Sequence, residues 1–405
     1  VLGALLGGLA GGGVVVAITS LLKAMMDYFA LRTTWMLIVV PLIGLSLAVF
    51  VLYGLAGGED ARRAGPFRAF PAGVVRADIS GDVVRTAGHE EQFPWRLSPI
   101  RVLAIVATVG LGAGMGTEAP AAYLGIASGA FLGDRLRRWR SLLRPAAVAG
   151  GAAGVAALMG IPLVGTAYVL EMGRRGGAPL DATRVASASI GGVVGWAINA
   201  GFDLDLIRLV VPKEPPTSVQ QALITALFIG ALAGMVTSLA ASALYRAKQW
   251  AAPPLVRLAL GGLATAADAL VLAHIAEPSA AFGPGGGAIT WAETHSALPS
   301  TLLAVSLLRA AMTTAAMAAG GCGGVFVPFL AVGDLAGRVF APSFDVGADL
   351  AGAAGAAAGI AGGYRLPLTA VAMVLGVGGP RAATLTCLAV VVVAYLADKL
   401  NPWKR

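Results

Sequence analysis

Apolar residues run in long blocks along most of the chain, near 2–30, 35–56, 99–134, 145–173, 185–202, 219–245, 253–275, 299–340, 347–378 and 380–398. Stretches of about 18 to 25 such residues can cross a hydrocarbon core of about 30 Å as a helix. Several blocks are too long for one span and too broken for two regular ones. The breaks fall at glycine clusters followed by proline: Gly110, Gly112, Gly114 and Gly116 before Pro120, and Gly320, Gly321, Gly323 and Gly324 before Pro328. Irregular backbone at membrane depth is tolerated where it is buried in protein or lines a watery cavity, so the pattern predicts about 14 to 18 helical pieces, many short and tilted. The expected fold class is an all-α polytopic membrane protein. The opening stretch, 2–22, runs on into further apolar sequence and reads as a permanent membrane helix rather than a cleaved leader.

Composition sharpens this reading. Of 405 residues 57% are hydrophobic and 12% charged, which excludes an ordinary cytosolic domain. The two cysteines, Cys322 and Cys387, lie in apolar sequence, so a disulfide scaffold is excluded and packing is their expected role. The net charge of +8 comes from basic residues beside apolar segments and indicates topology, not nucleic acid. Arg135, Arg137, Arg138, Arg140 and Arg144 form a basic loop placed in the cytoplasm, with Arg174, Arg175, Arg246, Lys248, Lys399, Lys404 and Arg405 on the same side. The location expected is the cell (inner) membrane, in direct contact with lipid. One polar interval, 57–97, is extramembranous in large part, and Glu90 and Glu91 beside His89 read as a solvated turn. His89, His274 and His295 are too scattered to hold a metal. No catalytic constellation and no cofactor motif is present, so the chain is not expected to be an enzyme or to carry a cofactor. Regulation by an appended nucleotide-binding module is not expected. Trp35, Trp139, Trp250, Trp291 and Trp403 read as interfacial anchors.

The chain repeats itself. Gly116, Pro120 and Gly125 recur as Gly324, Pro328 and Gly333, a shift of 208, and Arg101 and Arg309 ahead of them keep the same shift. Ile161-Pro162-Leu163-Val164 recurs as Leu366-Pro367-Leu368-Thr369, shifted by 205. Two membrane repeats follow, 1–215 and 216–405, as in transporter and channel folds whose site lies at the repeat interface. In each G-x-x-x-P element glycine admits close backbone approach and proline suits the first helical turn. Two helix N-termini facing each other would offer unpaired N–H groups and positive dipole ends to one dehydrated anion. The competing reading is a tight packing joint between helices. Glu118 sits inside the first element among Gly, Ala and Met, where a carboxylate is costly yet a helix N-terminus welcomes its anionic form. Those opposed pulls suit a protonatable gate that fills the anion site when ionised and leaves it when protonated; the alternative is a carboxylate that caps its own helix.

Gly116-Thr117-Glu118-Ala119-Pro120 resembles the G-[K/R]-E-G-P gate motif of the CLC chloride channels and proton-coupled transporters, and Gly324-Val325-Phe326-Val327-Pro328 matches their G-x-F-x-P anion motif. Trp95-Arg96-Leu97-Ser98-Pro99-Ile100-Arg101, Pro162-Leu163-Val164-Gly165 and Arg365-Leu366-Pro367-Leu368-Thr369 are similar to further segments of that family. The resemblance runs from about Trp95 to the end. It implies an antiparallel two-repeat fold, a homodimer with one pathway per subunit, and a small inorganic anion held by backbone amides at Gly116, Thr117, Gly324, Val325 and Phe326, with Glu118 as gate. Thr117 and Ala119 depart from the motif. The family's anion-coordinating G-S-G-I-P segment has no counterpart, and the register offered for it, Phe67-Arg68-Ala69-Phe70-Pro71, puts Arg68 at the serine, where a full charge would favour larger or multivalent anions. The family's tyrosine ligand would fall near Trp403, with Tyr395 as the weaker candidate.

Proton-coupled members carry paired glutamates after the P-L-x-G helix start. Here Leu170-Glu171-Met172 places Glu171 first and Met172 second, which tips the expectation toward passive, channel-like conduction of chloride, with Glu171 as a proton-pathway candidate. Otherwise Glu171 is an interfacial acid paired with Arg174 or Arg175. The alternative function is a proton-coupled antiporter, or a transporter of fluoride, bicarbonate, nitrate or sulfate. A cation or neutral-solute transporter is disfavoured by the near absence of intramembrane Asp, Asn and Gln, and a non-transporting scaffold would pass no ion.

Overall fold

The computed structural model describes residues 1–30, 33–55, 79–202, 211–212, 218–379 and 381–401. Arg68 and Trp403, and the boundary between 215 and 216, lie outside the described residues. The described chain is helical and includes eight helices long and apolar enough to cross a membrane. In the first half α1 (Leu2–Ala30) and α2 (Thr34–Val49, running on through π-helical turns to Leu55) precede the short α3 (Ile79–Arg85) and α4 (Ser98–Ile105). They are followed by α5 (Glu118–Arg135), the one-turn α6 (Arg140–Leu143), α7 (Ala146–Met159), α8 (Pro162–Arg175) and α9 (Ala182–Phe202). The second half holds α10 (Val219–Ile224), α11 (Gly230–Lys248), α12 (Pro254–Ile275), α13 (Gly286–Thr294) and α14 (Pro299–Ala318). It closes with α15 (Phe326–Phe340), α16 (Ala348–Ala358), α17 (Pro367–Gly378) and α18 (Ala382–Lys399).

The repeat read from the sequence has a packing counterpart. Helix α7 is made of Ala, Gly and a few larger apolar residues and is buried along its whole length. Gly125 of α5 faces the Gly150 carbonyl of α7 so closely that a Cβ would overlap it, and Gly333 of α15 stands in the same relation to Gly355 of α16. Gly129 and Gly337, one turn further, repeat the contact against Ala146 and Ala351. Small residues let helix backbones approach where lipid gives no hydrophobic driving force. The two helices that start at the glycine-proline elements are thus clamped by the same device.

The polar interval departs from expectation. Its described part is folded against the helices: Ile79, Val83, Phe93 and Leu97 are buried. Asp82 is buried against Arg101, which is itself wholly buried, and Glu90 is buried against Arg184. Glu90 also accepts from the Gly88 N–H (3.1 Å). The solvated turn expected at Glu90 is therefore corrected. A buried acid is tolerable when a cation and a backbone donor meet it, and both are supplied from elsewhere in the fold. Trp291 is buried as well, under α14 and α15, whereas Trp35, Trp139 and Trp250 are exposed as anchors should be. Cys322 and Cys387 are buried and unbridged.

Candidate functional site

After α4 the chain passes through π-helical turns, Val106–Gly110, and then gives up helical structure until Glu118. Gly112 takes φ +80° beneath the Phe282 ring, a backbone conformation and a space that no side chain fits. The corresponding loop ahead of α15 turns at Gly320, φ +100°. The two loops meet as a two-bond antiparallel bridge: the Gly116 N–H donates to the Gly324 carbonyl (2.7 Å) and the Gly324 N–H to that of Gly116 (2.6 Å). Each half also braces the other. Thr313 of α14 donates to the Gly114 carbonyl (2.9 Å), and Thr108 accepts from the Cys322 N–H (3.0 Å). Helices α5 and α15 therefore begin side by side deep in the protein, with Thr117 and Val325 as N-caps whose side chains cap nothing. First-turn amides left without helical partners are a ready place for negative charge.

Glu118 is the first residue of α5 and fully buried. Its carboxylate folds back across the bridge: a Cβ placed on Gly324 would stand 2.9 Å from Oε2, and one on Gly116 3.0 Å from Oε1. Neither oxygen has a partner in regular hydrogen-bond geometry, and the donors nearest to it are backbone amides, including that of Val327 at the start of α15. The negative group of one repeat thus rests on the helix N-terminus of the other. Phe326, the first residue of α15, is fully buried beside it. Its ring lies at 6.4 Å from Tyr168 of α8 and 5.9 Å, edge-on, from Tyr364. The hydroxyls of Tyr168 and Tyr364 share a hydrogen bond of 3.0 Å, and that of Tyr364 lies 3.2 Å from the Ser80 hydroxyl.

Beyond Tyr364 a cavity of about 600 Å³ opens, lined by Val325, Arg175, Arg246, Lys248 and Arg365 among others. The Arg175 guanidinium donates to the Tyr364 carbonyl (2.7 Å) and sits 5.9 Å from its ring centre. Basic walls around a partly enclosed space raise the local concentration of anions. A larger, almost wholly apolar groove between α11, α12 and α14 lies away from Glu118 and has no such lining.

Of the expected site residues, the structure brings together Gly116, Thr117, Glu118, Gly324, Val325 and Phe326. Ser80, Tyr168 and Tyr364 belong to the same cluster and were missed. For none of the three does the sequence carry a local signal. Tyr395 stacks with Lys399 on α18 (4.7 Å) and has no place in the cluster. Glu171 is corrected in its partner. Its direct partners are not Arg174 or Arg175, though the Arg175 charge acts on it: its carboxylate accepts from the N–H groups of Leu368 (2.8 Å) and Thr369 (2.7 Å) and from the Thr369 hydroxyl (2.6 Å). It closes the N-terminus of α17, whose first amides are orphaned like those of any helix. Met172 is buried beside it.

Residues 77–399 match the family model described as voltage gated chloride channel. The chain belongs to this family. Among curated members, the H(+)/Cl(-) exchange transporter ClcA of Yersinia pestis bv. Antiqua (strain Angola) is 26% identical over 298 residues, covering 69% of this chain and 60% of the relative. ClcA of Salmonella typhi is 26% identical over 292 residues, covering 69% and 61%. The chain therefore spans about 60% of the length of the curated relatives it matches. Two solved structures share the fold, each with a TM-score of 0.76 over 100% of this chain: a slow cyanobacterial Cl-/H+ antiporter (20% identity, 95% of that chain) and a CLC-type fluoride/proton antiporter (21%, 97%). The family's architecture and the apolar helices make this a multi-pass membrane protein of CLC fold.

Proposed function

We propose that the chain carries a small anion, chloride first, across the inner membrane in exchange for protons, and that Glu118 alternates with the anion at the junction of α5 and α15. The observation that carries this is the Glu118 carboxylate lying over Gly116 and Gly324, at two helix N-termini and, among the described residues, with no ion pair. Ionised, the side chain supplies the negative charge this junction favours; protonated, it loses that attraction and can yield the place to a free anion. Backbone amides at Gly116, Thr117, Gly324, Val325 and Phe326 would then hold the anion, with Ser80 and Tyr364 on the path to the basic cavity.

Exchange rather than passive conduction is favoured by Glu171, three residues along α8 from Tyr168, and by the names of the curated relatives. A carboxylate held by three donors is stabilised in its ionised form, so the bonds to α17 oppose its uptake of a proton and make it a reluctant relay rather than an open one. Passive conduction remains the second reading on the strength of Met172, whose thioether carries no proton. A homodimer with one pathway per subunit is part of the same proposal.

The test is reconstitution in chloride-loaded vesicles, with voltage clamped by potassium and valinomycin and with anion efflux and external pH recorded together. Chloride efflux with opposed proton movement is expected, and Glu171→Gln should keep the efflux while cutting the proton movement by about tenfold or more. Efflux with no proton movement in the unmodified protein would establish the passive reading. Efflux of fluoride, nitrate, bicarbonate or sulfate but not of chloride would reassign the substrate.

A further inference from the structure

Resting on the transport reading, the structure assigns a role to Arg101, a residue outside the anion path. Its side chain is wholly buried in a membrane-embedded protein, which is tolerable only for a purpose. Two of its contacts bear on the site. One is the ion pair with Asp82, two residues after Ser80 on α3. The other is the Tyr123 ring, 5.3 Å from the guanidinium carbon, on the helix that Glu118 begins. The repeat supplies a control. Arg309, 208 residues on, is equally buried but donates to backbone carbonyls, those of Gly283 (2.7 Å) and Ala280 (3.2 Å), and meets no acid in those contacts. A buried arginine at this point of the fold can thus be held by backbone carbonyls in place of a carboxylate. The acid partner is peculiar to the half that carries Ser80.

We infer that Arg101 is a positioning residue: through Asp82 it holds Ser80 at Tyr364, and through Tyr123 it fixes that segment to the gate helix. The spacing between Ser80 and Glu118, and with it the size of anion admitted between them, is set by this clamp. Asp82 also contacts Arg85, which is half-exposed, so removing Arg101 leaves the carboxylate one cation and the fold a means of tolerating the change.

The experiment compares chloride with the larger thiocyanate in vesicle efflux. Arg101→Gln should lower the chloride-over-thiocyanate ratio by about threefold or more, the range of coupling between contacting residues, and Arg101→Lys should restore most of it. In a Ser80→Ala background the same Arg101→Gln change should move the ratio by less than about half as much, because the clamp acts through Ser80. An unchanged ratio in folded Arg101→Gln protein, or an effect that persists in full without the serine, overturns the assignment. If Arg101→Gln does not fold, Tyr123→Leu removes the other arm and leaves the ion pair; it must shift the ratio in the same direction, and failure to do so counts equally against the clamp. Absence of any efflux from the unmodified protein overturns the transport reading instead. The clamp is then read from the relative affinities of the two anions for the solubilised protein by calorimetry, where unchanged relative affinities in the variants, or no binding at all, overturn it.

Discussion

The two glycine-proline elements have nearly the same backbone and opposite side chains at the same point. Each gives up a helix, turns through glycines, pairs with the other through one glycine, and restarts a helix on the next residue but one. That residue is Glu118 in the first half and Phe326 in the second. The shared backbone points orphaned helix-start amides at one junction; the differing side chains set what lies over it. Glu118 lays a carboxylate on the junction. Phe326, packed on Tyr168 and Tyr364, gives the same junction an apolar, aromatic wall that excludes water and so strengthens the amide field. In the proposed exchange, one repeat would supply the moving part and the other its fixed frame.

The strongest way to break this comparison is to separate the two loops. A β-branched side chain at Gly324 would run into the Glu118 carboxylate, the Ala119 amide and the Gly116 carbonyl together. Gly324→Val is expected to abolish anion flux and to destabilise the folded protein by about 1 to 3 kcal/mol, as overpacking does. Flux within a few-fold of the unmodified rate would mean that the loops do not form the site.

Next in size is the charge itself. With Glu118 as the alternating group, flux should rise as pH falls, because protonation removes the side chain's claim on the junction. Glu118→Gln, which keeps the shape and removes the titration, should flatten that dependence over the range in which the unmodified protein changes by about tenfold. An unchanged pH profile would sink the gate assignment and leave Glu118 as a cap on its own helix. Phe326 has no counterpart to this effect, since nothing in its ring titrates.

Why Glu118 and Phe326 could be read from the sequence while Ser80, Tyr168 and Tyr364 could not follows from what holds each in place. The first two are defined by backbone demands, glycine for close approach and proline for a helix start, and such demands leave residues at fixed spacing. The helix count, the break points and the repeat were legible for the same reason. Tyr168 and Tyr364 meet across 196 residues through side chains alone, and no local spacing records that. Ser80 meets Tyr364 through its hydroxyl across 284 residues, which no local spacing records either. The burial of Glu90 was hidden because its cation, Arg184, is 94 residues away. Glu171 was assigned to its sequence neighbours Arg174 and Arg175 when the donors were the first amides of α17. Long-range pairing of polar groups is set by the fold, and a charge run in the sequence does not disclose whether its partners exist.

Smaller effects test the bracing between halves. Thr108 and Thr313 are used in opposite senses, one accepting from the Cys322 amide and the other donating to the Gly114 carbonyl. Thr108→Val takes an acceptor from the buried Cys322 N–H and should cost about 1 to 3 kcal/mol. Thr313→Val strands a carbonyl, and an under-satisfied carbonyl is the better tolerated of the two, so its cost should fall near the low end, about 1 kcal/mol. Thermal stability of the solubilised variants measures both. The reverse order would mean that the first-half loop depends more on its brace than the second-half loop does.

The smallest effect is expected at Thr117, where the resemblance places a basic residue. Thr117 is buried and is the N-cap of α5, yet its hydroxyl caps nothing; the residue serves through its backbone, whose carbonyl accepts from the Ala121 N–H (2.8 Å). If amides rather than side chains form the anion site, Thr117→Ala should leave chloride flux within about twofold and stability within about 0.5 kcal/mol, well short of the usual cost of losing a capping hydroxyl. Val325, the equivalent N-cap of α15, has no hydroxyl at all, and its helix end is as deeply buried. The two caps should therefore be interchangeable in kind: a Thr117→Val protein that still transports would show that the symmetry of the backbone, not the chemistry of the caps, is what an anion meets. A loss of flux well beyond twofold in Thr117→Ala would place the hydroxyl in the site and make the first repeat the richer in ligands as well as in charge.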